Sequence, residues 1–268
     1  MALNIGFALA QQGAEVLLVD MDGQASLTSA LPPPARPGRV PRNAPPPLHA
    51  RFISEYFSGQ VKTLAPLVQP TRFTHVWILP SNGELHRMDS GGSANPEREL
   101  AFVRALHSSD LVVPPSSKES SIFDWIIIDT PPAQSFYTRA ALAAADFVII
   151  PTAVEAFAAF GIRRLLDNAT AMGGLMGRGV KLLGYTLSRW KAVPAAQRDN
   201  WANLQAEFLA SDVPLFDIAI PYDDKIDVAH LSTIKGGNKG LFGIGTKLTP
   251  AAEAYIKLVA QTKERTNG

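Results

Sequence analysis

Two stretches constrain this chain more than any others. Phe123–Pro132 reads FDWIIIDTPP, an apolar strand that ends in Asp129 and runs into Thr130, Pro131 and Pro132. Glu15–Gln24 reads EVLLVDMDGQ, a second strand of the same buried type that ends in Asp20 and reaches Asp22 two residues later. Continuous apolar strands of this kind belong to a parallel sheet covered on both faces. Ligands of such sheets sit at the carboxyl ends of the strands. Two carboxylates at those ends suit a nucleoside triphosphate and its Mg²⁺.

The rest of the chain has the same alternation. Strands are expected at Val16–Asp20, Val76–Leu79, Trp125–Asp129, Phe147–Pro151, Lys181–Leu187 and Leu215–Ile220. Helices are expected at Ala2–Gly13, Phe52–Phe57, Asn95–His107, Ser135–Ala145, Phe157–Met172, Ala195–Ala210 and Thr249–Glu264. Gly13 is placed to end the first helix, and Thr249 with Pro250 to start the last. The expected architecture is α/β, a mostly parallel sheet with helices on both faces, in a single domain over 1–268. Pro32–Pro47 is too rich in proline for regular structure and reads as a surface loop or insertion.

Composition narrows the function. The 268 residues carry a formal net charge of +1, so no global field draws the chain to nucleic acid or acidic lipid, and any such binding needs a local patch. With no cysteine, disulfides, thiolate metal sites and cysteine-ligated clusters are excluded, which fits a reducing cytoplasm. The five histidines, His49, His75, His86, His107 and His230, show no metal-ligand spacing. No apolar run approaches the roughly 18 residues of a membrane span. The apolar start lacks the basic residues of a secretory signal and reads as a buried helix.

Asp129 can hold Mg²⁺ directly or through water beside a triphosphate. Taken alone it is more simply a turn or helix-capping aspartate; Thr130-Pro131-Pro132 and the matching Asp22 reverse that preference. Asp20 ends its strand and is assigned to supporting the loop. Asp22 projects beyond the sheet and is the catalytic candidate, placed to orient an attacking water or to polarise the water shell of the metal. Gly23 lets the backbone approach a ligand closely. Gln24 offers a neutral donor and acceptor. Gln24 and Thr130 are the candidate nucleotide contacts beside the two carboxylates.

These segments resemble the ParA/MinD group of deviant P-loop ATPases, and ParA partition proteins more than MinD. The resemblance runs through Leu3–Thr28, Ile78–Leu85 (ILPSNGEL), Phe123–Pro132, Ala144–Leu166, Leu182–Trp190 and from Phe216–Pro221 to Ala251–Ala260. It implies ATP and Mg²⁺ as ligands, with Asp22 as the hydrolytic aspartate of the switch and Asp129 as the Walker B aspartate. It places Ile220, Pro221 and Tyr222 near the adenine. The family more often has proline where Gly23 stands, which questions the stiffness of this loop.

The resemblance also implies partitioning of a plasmid or chromosome. The expected activities are ATP-dependent homodimerisation and non-specific DNA binding in the cytoplasm, on the nucleoid, with a ParB-type centromere-binding partner that stimulates hydrolysis. Arg189, Lys191 and Arg198 after one strand, and Lys225, Lys235 and Lys239 after another, are the candidate phosphate contacts. The polar end TKERTNG is unlike the basic amphipathic membrane helix of MinD-like proteins, so no membrane partner is expected.

One family element is not found. Members carry a strand and a KGGxGKTT loop ahead of the helix seen here as Ala2–Gly13, and the sequence holds no G-x-x-x-x-G-K-[ST]. Gly173–Gly179, Lys235–Gly240 and Gly243–Lys247 read as turns. The expectation is an N-terminally truncated P-loop NTPase-like chain, from a downstream start or a shortened copy, weak at ATP binding as it stands. The alternative is a catalytically inactive ParA-like paralogue that acts as a binding or regulatory protein.

Overall fold

The computed structural model describes residues 1–34, 49–88, 96–107, 111, 123–131, 135–152, 179–190, 214–221 and 248–267. They fall in two compact units, one drawn from 2–144 and the other from 145–221 and 248–267. The expected parallel architecture is present in each.

In the first unit α1 (Ala2–Ala10) is buried along its whole length and packs on β1 (Val16–Asp20). Gly13, at φ +86°, makes the left-handed turn that ends it. β1 lies between β3 (Val76–Leu79) and β4 (Trp125–Asp129), both parallel to it. The short β2 (Gln69–Pro70) pairs antiparallel with the outer edge of β3. Val16, Leu17, Leu18 and Val19 are all fully buried, as a central strand covered on both faces requires.

The N-terminal ends of the three parallel strands are tied by Glu15. Its N–H donates to Asp124 Oδ2 at 2.8 Å, and its carbonyl accepts from the N–H groups of Asp124 and Trp125. Its carboxylate accepts from His75 Nδ1 at 2.6 Å and Trp77 Nε1 at 3.0 Å. Register follows: Val16 stands level with Val76 and Trp125, and Asp20 with Asp129.

Three short helices, α2 (Ser26–Ala30), α3 (Ser54–Phe57) and α4 (Glu84–Met88), follow the strands or their loops. Two longer ones, α5 (Pro96–Leu106) and α6 (Phe136–Ala144), pack on each other. Between them the buried Glu99 accepts from Arg139 Nε at 2.9 Å. Phe57 stands against the rings of Phe102, Phe136 and Tyr137, which closes the core on this side.

The second unit is a parallel sheet of β5 (Phe147–Thr152), β6 (Lys181–Trp190) and β7 (Leu215–Pro221), in that order. The last helix, α7 (Pro250–Asn267), packs on β7 and β6. Thr249 Oγ1 accepts from Ala252 N–H at 3.1 Å and caps it, as the Thr-Pro start predicts. Arg265 fastens its far end to the sheet. The guanidinium donates to the carbonyls of Leu183 and Leu215 and lies 4.1 Å from the centroid of the Phe216 ring.

The helices expected over 157–172 and 195–210 lie outside the described residues, as does most of 32–47. The helix expected from Phe52 begins at Ser54, and the one expected with Asn95 as cap and Pro96 at its first position begins at Pro96. β6 runs three residues beyond Leu187 because its far end pairs with β7 at Trp190 and Pro221. Among the described residues no helix is long and apolar enough to cross a membrane.

Asp20 is the polar centre of the first unit. It has no exposed surface. Its Oδ2 accepts from the backbone N–H and the hydroxyl of Thr28, at 2.8 and 2.7 Å, and its Oδ1 from Asp22 N–H at 3.1 Å. These bonds tie α2 to the end of β1. Burial nevertheless pushes the carboxyl up to about 6; the bonds from Thr28 and Asp22 oppose the rise, and the charge of Asp129 adds to it. Between about pH 4 and 6 the folded protein therefore holds a proton that the unfolded chain has lost, so stability falls as pH rises through that window. Asp20→Asn removes the effect. The unfolding free energy of the wild type should fall by about 3 kcal/mol relative to that of the variant between pH 4 and 7. Denaturant titrations of both proteins across that range measure it, and a constant difference would contradict the assignment.

Candidate functional site

β1 and β4 end level with one another, so their last residues, Asp20 and Asp129, share one rim of the sheet. The ladder continues one bond further, because Met21 N–H donates to Asp129 carbonyl at 2.9 Å. Met21 is fully buried and anchors the chain at that point. Asp22 is the first residue beyond the anchor. Its Oδ1 accepts from Gln24 N–H at 2.9 Å, an aspartate turn, and its carbonyl accepts from Ala25 N–H at 2.9 Å. Ala25 has a left-handed backbone, φ +53°, which turns the chain into α2.

The three acidic residues of this rim are in graded environments. Asp20 is wholly buried, and both of its oxygens are engaged by the network that supports the loop. Asp129 and Asp22 are half-buried. Burial raises the Asp129 carboxyl above the ordinary range; the positive charge of the N-terminal amine opposes the rise and the charge of Asp22 adds to it. Asp22 thus stands close enough to Asp129 for its charge to disfavour ionisation there. A cation between or beside them removes that penalty. The donor chemistry fits Mg²⁺, which takes one or two carboxylates and completes its shell with water and phosphate oxygens. Among the described residues no group of three or more His, Cys, Asp or Glu side chains could hold a metal.

The other candidates are distributed as follows. Gln24 is exposed, on the loop that carries Asp22, and Thr130 is exposed directly after Asp129. Ile220 and Pro221 belong to the second unit, at the end of β7; Ile220 is buried and Pro221 half-buried. The backbone of Arg189 lies in β6. Tyr222, Lys191, Arg198, Lys225, Lys235 and Lys239 lie outside the described residues.

Three participants are not identified by the sequence reading. Thr28 joins α2 to Asp20. Ser81, two residues past the end of β3, donates through its hydroxyl to the Asp22 carbonyl at 2.7 Å and through its N–H to Thr28 Oγ1 at 2.8 Å. His86 in α4 presses on Gly23: a Cβ at position 23 would stand 2.7 Å from His86 N and 3.1 Å from its Cα. A signal for Ser81 is present, since it follows β3 at the offset by which Asp22 follows β1.

Comparison with known proteins accords with this geometry. A family model described as "AAA domain" matches residues 1–174. A ParA family protein of Chlamydia trachomatis serovar D is 31% identical over 190 residues, which cover 70% of this chain and 65% of the relative. The chromosome partitioning protein ParA of Myxococcus xanthus is 27% identical over 187 residues, 70% of this chain and 58% of the relative. The chain thus spans less than two thirds of the length of these relatives. Among solved structures, cobyrinic acid a,c-diamide synthase from Mycobacterium smegmatis, with bound ATP analog and magnesium, superposes with a TM-score of 0.68 at 24% identity, covering 100% of this chain and 89% of the other. That likeness is one of fold. By the extent of the family match the chain belongs to the AAA-domain family, and its relatives by sequence are proteins named as ParA.

Proposed function

We propose that this protein is a ParA-like ATPase that partitions DNA. The observation that supports the proposal is that β1 and β4 end level at Asp20 and Asp129, with Asp22 near enough for its charge to act on Asp129 and Asp20 buried under the loop. Asp129 holds Mg²⁺, directly or through water. The ion supplies positive charge for the triphosphate and for the charge that develops on the transferred phosphoryl group. Asp22 commits its Oδ1 to Gln24 N–H and uses Oδ2 to orient the attacking water. The aspartate turn fixes the χ angles of that side chain, so the water is aimed at little entropic expense. Thr130 and Gln24, both exposed next to the carboxylates, contact the phosphates.

The wider role follows from the relatives. The Myxococcus relative named as a chromosome partitioning protein supports a part in DNA partitioning here; to that part we assign ATP-dependent homodimers, a ParB-type centromere-binding partner and location on the nucleoid. Non-specific DNA binding is assigned to Arg189, Lys191, Lys225, Lys235 and Lys239.

Protein expressed from its complete gene should hydrolyse ATP in a Mg²⁺-dependent manner, stimulated by DNA and partner. Asp22→Ala should lower kcat by about 100-fold or more and change the affinity for MgATP little, since the side chain acts on the water. Asp129→Asn should weaken the Mg²⁺-dependent part of ATP binding by about 10–100-fold. Steady-state kinetics and nucleotide titrations with and without EDTA measure both. A wild type that binds ATP without turnover would instead support the inactive paralogue.

DNA binding has a separate test. Reversing the charge of Arg189 and Lys225 together should lower affinity for duplexes of any sequence. The dependence of log affinity on log salt should become shallower by about 2, near 0.9 for each phosphate that is no longer neutralised. Binding isotherms over a salt series decide it, and an unchanged slope would reject these residues.

A further inference from the structure

The loop that carries Asp22 is held on two sides. On one side Met21 N–H bonds the carbonyl of Asp129, and this continues the β1–β4 ladder. On the other side stands the corner between β3 and α4, where Ser81 and His86 meet the loop. Nothing in the proposed chemistry uses that corner. We infer that Ser81 is a positioning residue for Asp22, an assignment that rests on the ATPase reading above.

Ser81 is bonded to both flanks of the loop. Its N–H donates to Thr28 Oγ1, and that hydroxyl donates to Asp20 Oδ2. Its own hydroxyl donates to the carbonyl of Asp22 at 2.7 Å. That carbonyl also accepts from Ala25 N–H, so both of its lone pairs are occupied. With two donors fixed on it, the peptide plane between Asp22 and Gly23 has one orientation, and the direction of the Asp22 side chain is set with it. Ser81 is 1% exposed, so its hydroxyl meets the Asp22 carbonyl away from bulk solvent.

The two bonds of Ser81 separate the structural role from the positioning role. Asp20 and Thr28 hold α2 to β1 whether or not residue 81 has a side chain, because the bond to Thr28 comes from the backbone N–H. Among the described residues the hydroxyl bonds the Asp22 carbonyl alone. Ser81→Ala therefore leaves the support of the sheet in place and frees the loop alone. Gly23, pressed against the backbone of α4, keeps the loop within reach of this donor.

The test compares wild type, Ser81→Ala and Ser29→Ala in protein from the complete gene. Ser29 is exposed and donates to the carbonyl of Ala25, so its variant removes a hydroxyl near the loop without touching Asp22. Ser81→Ala should lower kcat for ATP about tenfold with KM within about twofold, since a displaced catalytic group is lost mainly in the transition state. Ser29→Ala should match the wild type. Amide hydrogen exchange gives a readout independent of turnover: Gln24 and Ala25, whose N–H groups bond Asp22, should exchange about fivefold faster in Ser81→Ala, with Val16–Asp20 unchanged. An unchanged kcat, or parallel loss of kcat and KM with faster exchange throughout β1, overturns the positioning role. A wild type without ATP turnover, paired with loosening of Gln24 and Ala25 alone in Ser81→Ala, overturns the ATPase reading and leaves Ser81 as the anchor of the loop.

Discussion

The candidate site depends on the register of β1 against β4. A parallel pair can slip, and a slip of one residue exchanges the faces to which every side chain points. Here both ends are pinned. At the start, the backbone of Glu15 exchanges bonds with Asp124 and Trp125 while its carboxylate accepts from His75 and Trp77 on the β3 side. At the finish, Met21 N–H closes on Asp129 carbonyl. Between these points lie five residue pairs. With that register Asp20 and Asp129 end level, and Asp22 leaves the sheet beside Asp129. With any other register the carboxylates would not share a rim.

The same residue type then acquires different properties from different solvation. Asp20 is fully buried and saturated with donors, and burial still dominates its energetics. Its ionised form destabilises the fold and stabilises the loop geometry, since the backbone of Asp22 and both donors of Thr28 converge on it. Asp129 is half-buried, and burial and the charge of Asp22 raise its carboxyl while the N-terminal amine opposes them. A buried acid that organises, a half-buried acid that in the proposed function holds the cation, and a neighbour on a short turn make a division of labour. It needs no residue type other than aspartate.

How much of this was legible in sequence follows from the range of the forces involved. β1 and β4 were readable because their signal is local: a short apolar run closed by an acid, at the length of a central strand. α7 was readable because Thr249 and Pro250 mark its start. The five-residue α2 and α4 were not, since neither is long enough to show a period. α2 exists because Asp20, eight residues earlier than Thr28, bonds its first turn. Ser81 is 59 residues from the carbonyl it holds, and only the pairing of β3 with β1 brings them together. β6 extends past the expected Leu187 because its far end pairs with β7, a partner no local signal announces.

Gly23 shows how a local departure from the family pattern is absorbed. A proline at that position would stiffen the loop through its ring. Glycine gives no such restraint, and by itself implies a looser loop. In this chain the space that a side chain at 23 would need is filled by the backbone of His86, 2.7 Å from the ideal Cβ position. A ring there would force α4 away, and with it the short turn that connects α4 to Ser81. The chain thus holds its loop by contact instead of by covalent restraint. The peptide of Asp22 is bonded by Ser81 and Ala25, the face of Gly23 is closed by α4, and Met21 is tied to β4.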